Sequence, residues 1–244
     1  MSHVSCIVVC HDESLLLVPT LRSVQASVEY ARDNGLEVDI HIVLDRADAE
    51  TLDAARSNIE QGTKFHEVDF GDLALSRNHG IQMATGEYIG LIDGDDLWCE
   101  SWILDCYLTA ASEKRMCIYH PEYNFVFGNS EDHIFMHVDM EDPDFEFGAI
   151  FRSNYWTALS FAKRQYYLQL PFEKNRLSEG FGYEDWTWNY KIIGFGAIHK
   201  VVRGTSHYIR RKPKGLSLLS KTNNLDTLPG FLPLYQKKKF PEQA

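Results

Sequence analysis

Glu87-Tyr88-Ile89-Gly90-Leu91-Ile92-Asp93-Gly94-Asp95-Asp96 is the stretch on which the fold turns. Its first six residues are a short, nearly unbroken apolar run, the pattern of a strand buried on both faces of a parallel sheet. Three carboxylates follow at once. Such a cluster at the end of a buried strand is costly unless it holds a cation or hydrogen-bonds a ligand. A second acidic cluster, Gly182-Tyr183-Glu184-Asp185-Trp186, opens a segment of helical pattern. Carboxylates there also suit the helix dipole, an effect of about 0.3–1 kcal/mol each. A base at one cluster and a cation at the other imply metal-assisted transfer of a group from a nucleotide-linked donor.

The flanking sequence gives the apolar run its partners. Residues 4–10 form an all-apolar strand apart from Ser5, left through the loop His11-Asp12-Glu13-Ser14. A helix is predicted to about Asp33, with Gly35 beyond its end. Residues 38–44 are a second strand ending at Asp45, 49–60 a helix and 64–68 a third strand. Asp72 is placed to N-cap a helix that runs to Ala84. Strands alternating with helices through residue 97 make right-handed βαβ units and a parallel sheet. Ligands of such sheets bind at the carboxyl ends of the strands. His11, Asp12, Asp45 and Asp93 to Asp96 all stand there.

The second half is less regular. Residues 102–112 are predicted as a helix, and 116–120, 123–127 and 134–138 as short strands. The aromatic-rich 147–160 is expected to be strand-like in part, 184–194 a helix and 197–202 a strand. The expected organisation is one α/β domain over 1–224, a nucleotide-binding half (1–97) followed by an acceptor-binding half (98–224). A tail, 225–244, carries three prolines and Lys237-Lys238-Lys239.

Composition narrows the class. The 244 residues suffice for one large α/β domain. Hydrophobic content of 44% and charged content of 24% are ordinary for a globular protein. A net charge of −11 argues against a general nucleic-acid binder. No run approaches the roughly 18 to 20 apolar residues that span a bilayer. Strand residues begin almost at once, leaving no room for a signal peptide. Five cysteines without a C-x-x-C pair point to reduced thiols and a cytoplasmic setting. Cys6 and Cys10 share one strand face and are expected in the core. The lysine-rich tail can give weak peripheral attraction to an anionic membrane face, roughly 1 kcal/mol per basic residue.

The ordered set of motifs resembles the family 2 glycosyltransferases, inverting enzymes of the GT-A fold. This is a Rossmann-like mixed sheet flanked by helices. The resemblance covers about residues 4–217. It is carried by the opening strand, Asp45, Arg77-Asn78-His79-Gly80, Ala84-Thr85-Gly86-Glu87-Tyr88-Ile89, Asp93-Gly94-Asp95-Asp96, Glu184-Asp185-Trp186 and Tyr208-Ile209-Arg210-Arg211. The implied donor is a nucleoside diphosphate sugar, with UDP favoured. The implied acceptor is a hydroxyl of a glycan or lipid-linked molecule, and the implied cofactor Mn2+ or Mg2+.

Asp93-Gly94-Asp95-Asp96 matches the family's DXD motif. By resemblance Asp93 meets the ribose or uracil side and Asp95 binds the metal, while Gly94 lets the backbone pass closely. Asp96 is a second ligand or a helix N-cap. Asp45 accepts from a uracil N–H, His11 stacks on the base or is structural, and Asp12 and Glu13 line the donor loop. Arg77 and Asn78 contact the donor, or Arg77 locks the acidic cluster through a bidentate ion pair. Asp185, with Glu184 second, is the base that takes the acceptor's proton. Trp186, with Tyr183 beside it, stacks on an acceptor sugar or packs in the core. Arg210, Arg211 and Lys212 neutralise the leaving diphosphate, and His207 is a further metal ligand. A sugar-nucleotide pyrophosphorylase would carry glycines in the first loop, which has none. A non-catalytic binding domain would not need both acid clusters.

Overall fold

The computed structural model describes residues 3–128, 132–212 and 226–227. Lys237-Lys238-Lys239, and with it the membrane expectation, lies outside them. Among the described residues, nine strands form one sheet. Its parallel part holds β1 (His3–Cys10), β2 (Glu37–Asp45), β3 (Lys64–Val68) and β4 (Tyr88–Asp93) in the order β3-β2-β1-β4. α1 (Leu17–Asp33), α2 (Ala49–Ser57) and α3 (Leu73–Met83) connect them. The register sets Val9 beside both Val43 and Asp93, so the strands finish at one edge. His11, Asp45 and the acidic turn are therefore neighbours, as the alternating pattern predicts.

The sheet continues without a break into the second half. β5 (Leu97–Trp98) and α4 (Trp102–Ala111) follow the acidic turn. Then come β6 (Cys117–Gly128), β7 (His133–Met136), β8 (Phe161–Lys163), α5 (Arg164–Gln169), β9 (Phe181–Gly182), α6 (Glu184–Gly194), β10 (Ile198–Arg211) and β11 (Asp226–Thr227). β8 runs antiparallel to β4 and β6, and β10 lies parallel to β6 and antiparallel to β5. β11 pairs with β9 in a small separate sheet, so two residues of the 225–244 segment belong to structure beside the second acid cluster.

Core clusters cover both sheet faces. Val4, Cys6, Val8 and Cys10 pack with Leu17, Leu21, Val24 and Val28 of α1 and with Trp102 and Ile103 of α4. Ile7, Val9 and Val43 pack on the other face with Ala74 and Ile81 of α3, Tyr167 of α5 and Trp188 and Ile192 of α6. The five cysteines are unpaired, and Cys6 and Cys10 are core fillers as expected. Gly80 has a packing reason: a Cβ there would lie 2.6 Å from the Ile7 side chain, so α3 could not sit as close to the sheet. No helix among the described residues is long and apolar enough to cross a membrane.

Four expectations differ from what is found. The helix at 49–60 ends at Ser57, where the Asn58 side chain caps the Ala54 carbonyl. The strands 116–120 and 123–127 are one strand, β6. Pro121 is accommodated because the β6–β10 register shifts by a bulge just beyond its partner Val202. β10 runs on to Arg211, well past 202. The segment 147–160 contains a 3-10 turn, Phe147–Phe151, rather than strand, because its aromatics pack into a satellite core with Tyr190 and Ile193.

Candidate active site

Arg77 lies at the centre. It stands in the second turn of α3, 2% exposed, under the carboxyl ends of the strands. One guanidinium nitrogen bonds both oxygens of Asp93, at 2.8 and 3.0 Å. Another bonds Glu184 Oε1 at 2.7 Å. Two carboxylates far apart in sequence thus share one buried cation. Burial opposes that cation's charge, but Asp93 and Glu184 outweigh it and hold the Arg77 pKa above the ordinary arginine value. Phe172 lies over the guanidinium, 5.6 Å from ring centroid to Cζ. Of the two roles open to Arg77, locking the acid cluster is the one its geometry carries.

The neighbours of Arg77 hold it in place. Asp45 accepts four hydrogen bonds, from the Phe70, Gly71 and Asp72 N–H groups and from Ser76 Oγ, at 2.7–3.1 Å. Four donors fill the lone pairs of a carboxylate. Asp45 therefore fixes the turn that starts α3 instead of facing a base edge, and these bonds offset burial and lower its pKa. Asp72 caps α3 by accepting from Leu75 N. Asn78 exchanges two hydrogen bonds with the Phe172 backbone, at 2.8 and 2.9 Å, and so ties α3 to the second half. His11 is exposed and donates from Nδ1 to the Asp45 carbonyl at 2.6 Å. Asp12 is exposed, whereas Glu13 is buried.

The acidic turn is held from several sides. Gly94 N–H bonds the Val9 carbonyl at 2.8 Å, and a Cβ on Gly94 would lie 3.1 Å from that oxygen and from Cys10 Sγ. The close approach that needs glycine here is to β1. β5 pairs with β10 through His207–Trp98, which brings the end of β10 back over the turn. Asp96 is buried and accepts from Arg210 N at 2.8 Å. Its other oxygen lies 3.2 Å from His207 Nε2. Burial, then the charge of Asp93, push the Asp96 pKa up to about 8. Burial likewise drives His207 down to about 3. Both shifts favour the uncharged form of each group at this contact. Asp96 is thus neither an N-cap nor an outward ligand, and His207 faces Asp96 rather than Asp95.

Asp95 is the carboxylate of this cluster that meets neither Arg77 nor His207, and its side chain is partly buried. Lys212 Nζ lies 3.0 Å from its Oδ2 and 3.2 Å from Glu13 Oε1. Burial, with Asp96 next, pushes the Asp95 pKa up to about 6 against the pull of Lys212. Arg210 donates to the Asp95 carbonyl at 3.1 Å and stacks over Phe127 at 4.6 Å. Arg211 follows, partly exposed. Among the described residues no group of three or more His, Cys, Asp or Glu is arranged to hold a metal ion. Asp93 is engaged by Arg77 and Asp96 by Arg210 and His207. Asp95 is engaged in turn by Lys212. A hard cation held by Asp95, with diphosphate and water oxygens as further ligands, would have to displace that ammonium. His207 Nε2 is turned to Asp96.

The second cluster is opened by an unusual residue. Tyr183 has φ +56°, ψ +54°, the left-handed region, which costs a non-glycine residue about 1–3 kcal/mol. The turn sends Glu184 inward to Arg77 and leaves Asp185 partly exposed beside it. Burial, then Glu184, push the Asp185 pKa up to about 7, against the lowering effect of Arg77. A carboxyl at that value is half-ionised at neutral pH, suited to act as a general base. Asn154 Nδ2 donates to Asp185 Oδ2 at 3.1 Å. No motif signalled Asn154, since it lies in the irregular 152–160 segment. Trp186 donates to the Ile150 carbonyl at 2.7 Å and meets Tyr183 edge-on at 5.9 Å. Trp156 and Trp188 are buried core residues.

Comparison with known proteins agrees with this geometry. The pattern of Glycosyl transferase family 2 matches residues 5–173. No curated protein matches the sequence. Among solved structures, S. aureus TarS 1-349 in complex with UDP-GlcNAc superposes with a TM-score of 0.66 at 15% identity, over 88% of this chain and 60% of that one. The mannosyltransferase PcManGT from Pyrobaculum calidifontis, in complex with GDP-Man and Mn2+, gives 0.62 at 16% identity, over 99% and 70%. This chain spans 44% of the longer TarS structure. At these identities the likeness concerns the fold, which is the GT-A fold. The match over most of its length, together with an acid turn and a helix-opening acid pair joined through Arg77, makes this chain a member of glycosyl transferase family 2.

Proposed function

We propose that the protein is an inverting glycosyltransferase. It moves a sugar from a nucleoside diphosphate sugar, UDP-linked in the first instance, to a hydroxyl of a glycan or lipid-linked acceptor. The observation that carries this reading is the single buried guanidinium that holds Asp93 and Glu184 together and so joins the acid turn to the acid pair. The ligands bound in the structural neighbours, UDP-GlcNAc in one and GDP-Man with Mn2+ in another, support a nucleotide-sugar donor and a divalent ion.

Asp185 takes the proton of the acceptor hydroxyl as that oxygen forms its bond to the sugar C1. The bond from C1 to the diphosphate oxygen breaks on the opposite face, and the electron pair leaves with the nucleoside diphosphate. Arg210, Arg211 and Lys212, at the end of β10, supply positive charge on the leaving-group side. A Mn2+ or Mg2+ on Asp95 would add charge neutralisation there. His11, at the strand ends, offers an exposed ring to the base. Tyr183 and Trp186 form the acceptor wall.

Asp185→Asn keeps the shape and removes the proton acceptor. Nucleoside diphosphate release from sugar nucleotides, with acceptor present, should fall about 10²–10⁴-fold, while donor affinity stays near the wild-type value. The wild-type rate should rise with pH through about 7, because Asp185 works only when ionised. Near wild-type turnover in Asp185→Asn would overturn the mechanism. No turnover by the wild-type chain with any sugar nucleotide would favour a binding domain instead.

A further inference from the structure

Asn154 lies after the 3-10 turn Phe147–Phe151, in a segment without regular structure, and its amide orientation is dictated by its surroundings. The Trp156 backbone carbonyl can only accept, and Asn189 Nδ2 lies 3.1 Å from it. That same nitrogen lies 3.1 Å from Asn154 Oδ1. The Asn154 oxygen must therefore face Asn189, and its NH2 group must face Asp185 Oδ2. Trp156 N–H adds a longer bond to Asn154 Oδ1, at 3.4 Å. The anchor is rigid. Asn189 is 2% exposed and stands one helical turn after Asp185 on the same face of α6. Trp156 is stacked on His199 at 3.9 Å, and its indole N–H donates to the Val138 carbonyl at 2.7 Å.

We infer that Asn154 is a positioning residue for Asp185: a chain from the Trp156 carbonyl through Asn189 and Asn154 delivers one obligate N–H donor to Oδ2 and holds the carboxylate in a single orientation. This rests on the proposal that Asp185 is the base. The donor matters because burial and the neighbouring acids outweigh the groups that favour the ionised form of Asp185. Glu184 and Asp93 disfavour its ionised form, Arg77 and the Trp186 N–H favour it, and the Tyr183 phenol lies alongside. A hydrogen bond to the ionised form favours ionisation. Asn154 thus tunes the pH at which the base becomes available.

The test is the pH–rate profile of sugar transfer for wild type, Asn154→Ala and Asn154→Asp, with donor titration and unfolding midpoints alongside. Loss of one hydrogen bond to a charged group should move the acid-side midpoint of Asn154→Ala upward by about one pH unit. Asn154→Asp has the same shape but adds a charge, and should move it further. Turnover at pH 7 should fall about fivefold for a one-unit shift from a midpoint near 7 and recover at higher pH, with donor affinity unchanged. A residue that only supports the fold would lower the rate evenly across pH. An Asn154→Ala or Asn154→Asp profile that keeps the wild-type midpoint overturns the inference. If Asn154→Ala does not fold, the isosteric Asn154→Asp decides alone. Asp185→Asn separates the two failures. If it loses turnover while the Asn154 variants keep the wild-type midpoint, only the role of Asn154 is lost. If it turns over normally, the base assignment itself is gone.

Discussion

The acid turn after β4 and the acid pair opening α6 are built alike, although one closes a strand and the other starts a helix. In each, one carboxylate is given to Arg77: Asp93 in the turn, Glu184 in the pair. In each, a second carboxylate outside that ion pair carries a raised pKa, about 6 for Asp95 and about 7 for Asp185. They differ in what faces this second acid. Asp95 meets a lysine ammonium, whereas Asp185 meets a neutral amide. A cation suits an acid that handles phosphate charge. An amide suits a base, since a full positive charge at that contact would hold the carboxylate ionised and weaken it as a proton acceptor. A difference of one neighbour thus accompanies the two jobs proposed for these acids on a shared frame.

Arg77→Met should do the most damage, because it strands the buried Glu184 and the partly exposed Asp93 at once. Removing one partner of a buried ion pair typically costs about 3–5 kcal/mol, read here as the loss in denaturant unfolding free energy. A loss under about 1 kcal/mol would mean the two clusters do not depend on the shared cation. Asp95→Asn should leave stability largely intact and remove the gain in UDP affinity that Mn2+ provides, a change of about tenfold, or 1.4 kcal/mol, by calorimetric titration. If Asp93→Asn removes that gain and Asp95→Asn does not, the roles of the two carboxylates are reversed. Lys212→Met should have the smallest effect. It frees Asp95 of a partly exposed ammonium, so Mn2+ should bind slightly more tightly in the absence of nucleotide, by up to about 1 kcal/mol. Weaker Mn2+ binding in that variant would show that Lys212 supports the cation instead of competing with it.

Much of the frame can be read in the sequence because it is local. The apolar run before Asp93, the Asp72 cap and the alternation to residue 97 each depend on a few consecutive residues, and all appear as predicted. The second half depends on long-range packing. Residues 147–160 read as strand by their aromatics, but a satellite core with Tyr190 claims those rings. The functional residues divide the same way. The acids declare themselves by type and position. Their partners do not, because the Asp45 bonds to 70–72, the Asn78 bond to Phe172 and the Asn154 bond to Asp185 join segments that no local pattern relates. Asp45 illustrates the limit: a strand-end acid reads as a ligand contact, and four donors from the following loop make it a brace instead.

Phe181 and Gly182, the two residues just ahead of Tyr183, take their strand neighbour from Asp226 and Thr227, which lie beyond the last strand of the main sheet in sequence. During synthesis, every β-strand of the main sheet therefore emerges before this small pairing can form. The corner that carries Asp185 receives these backbone hydrogen bonds only after that sheet has emerged. Chains stopped before residue 226 would keep every residue of the main sheet and of the Arg77 bridge but lack this edge, so the edge beside the acid pair is a late step of assembly.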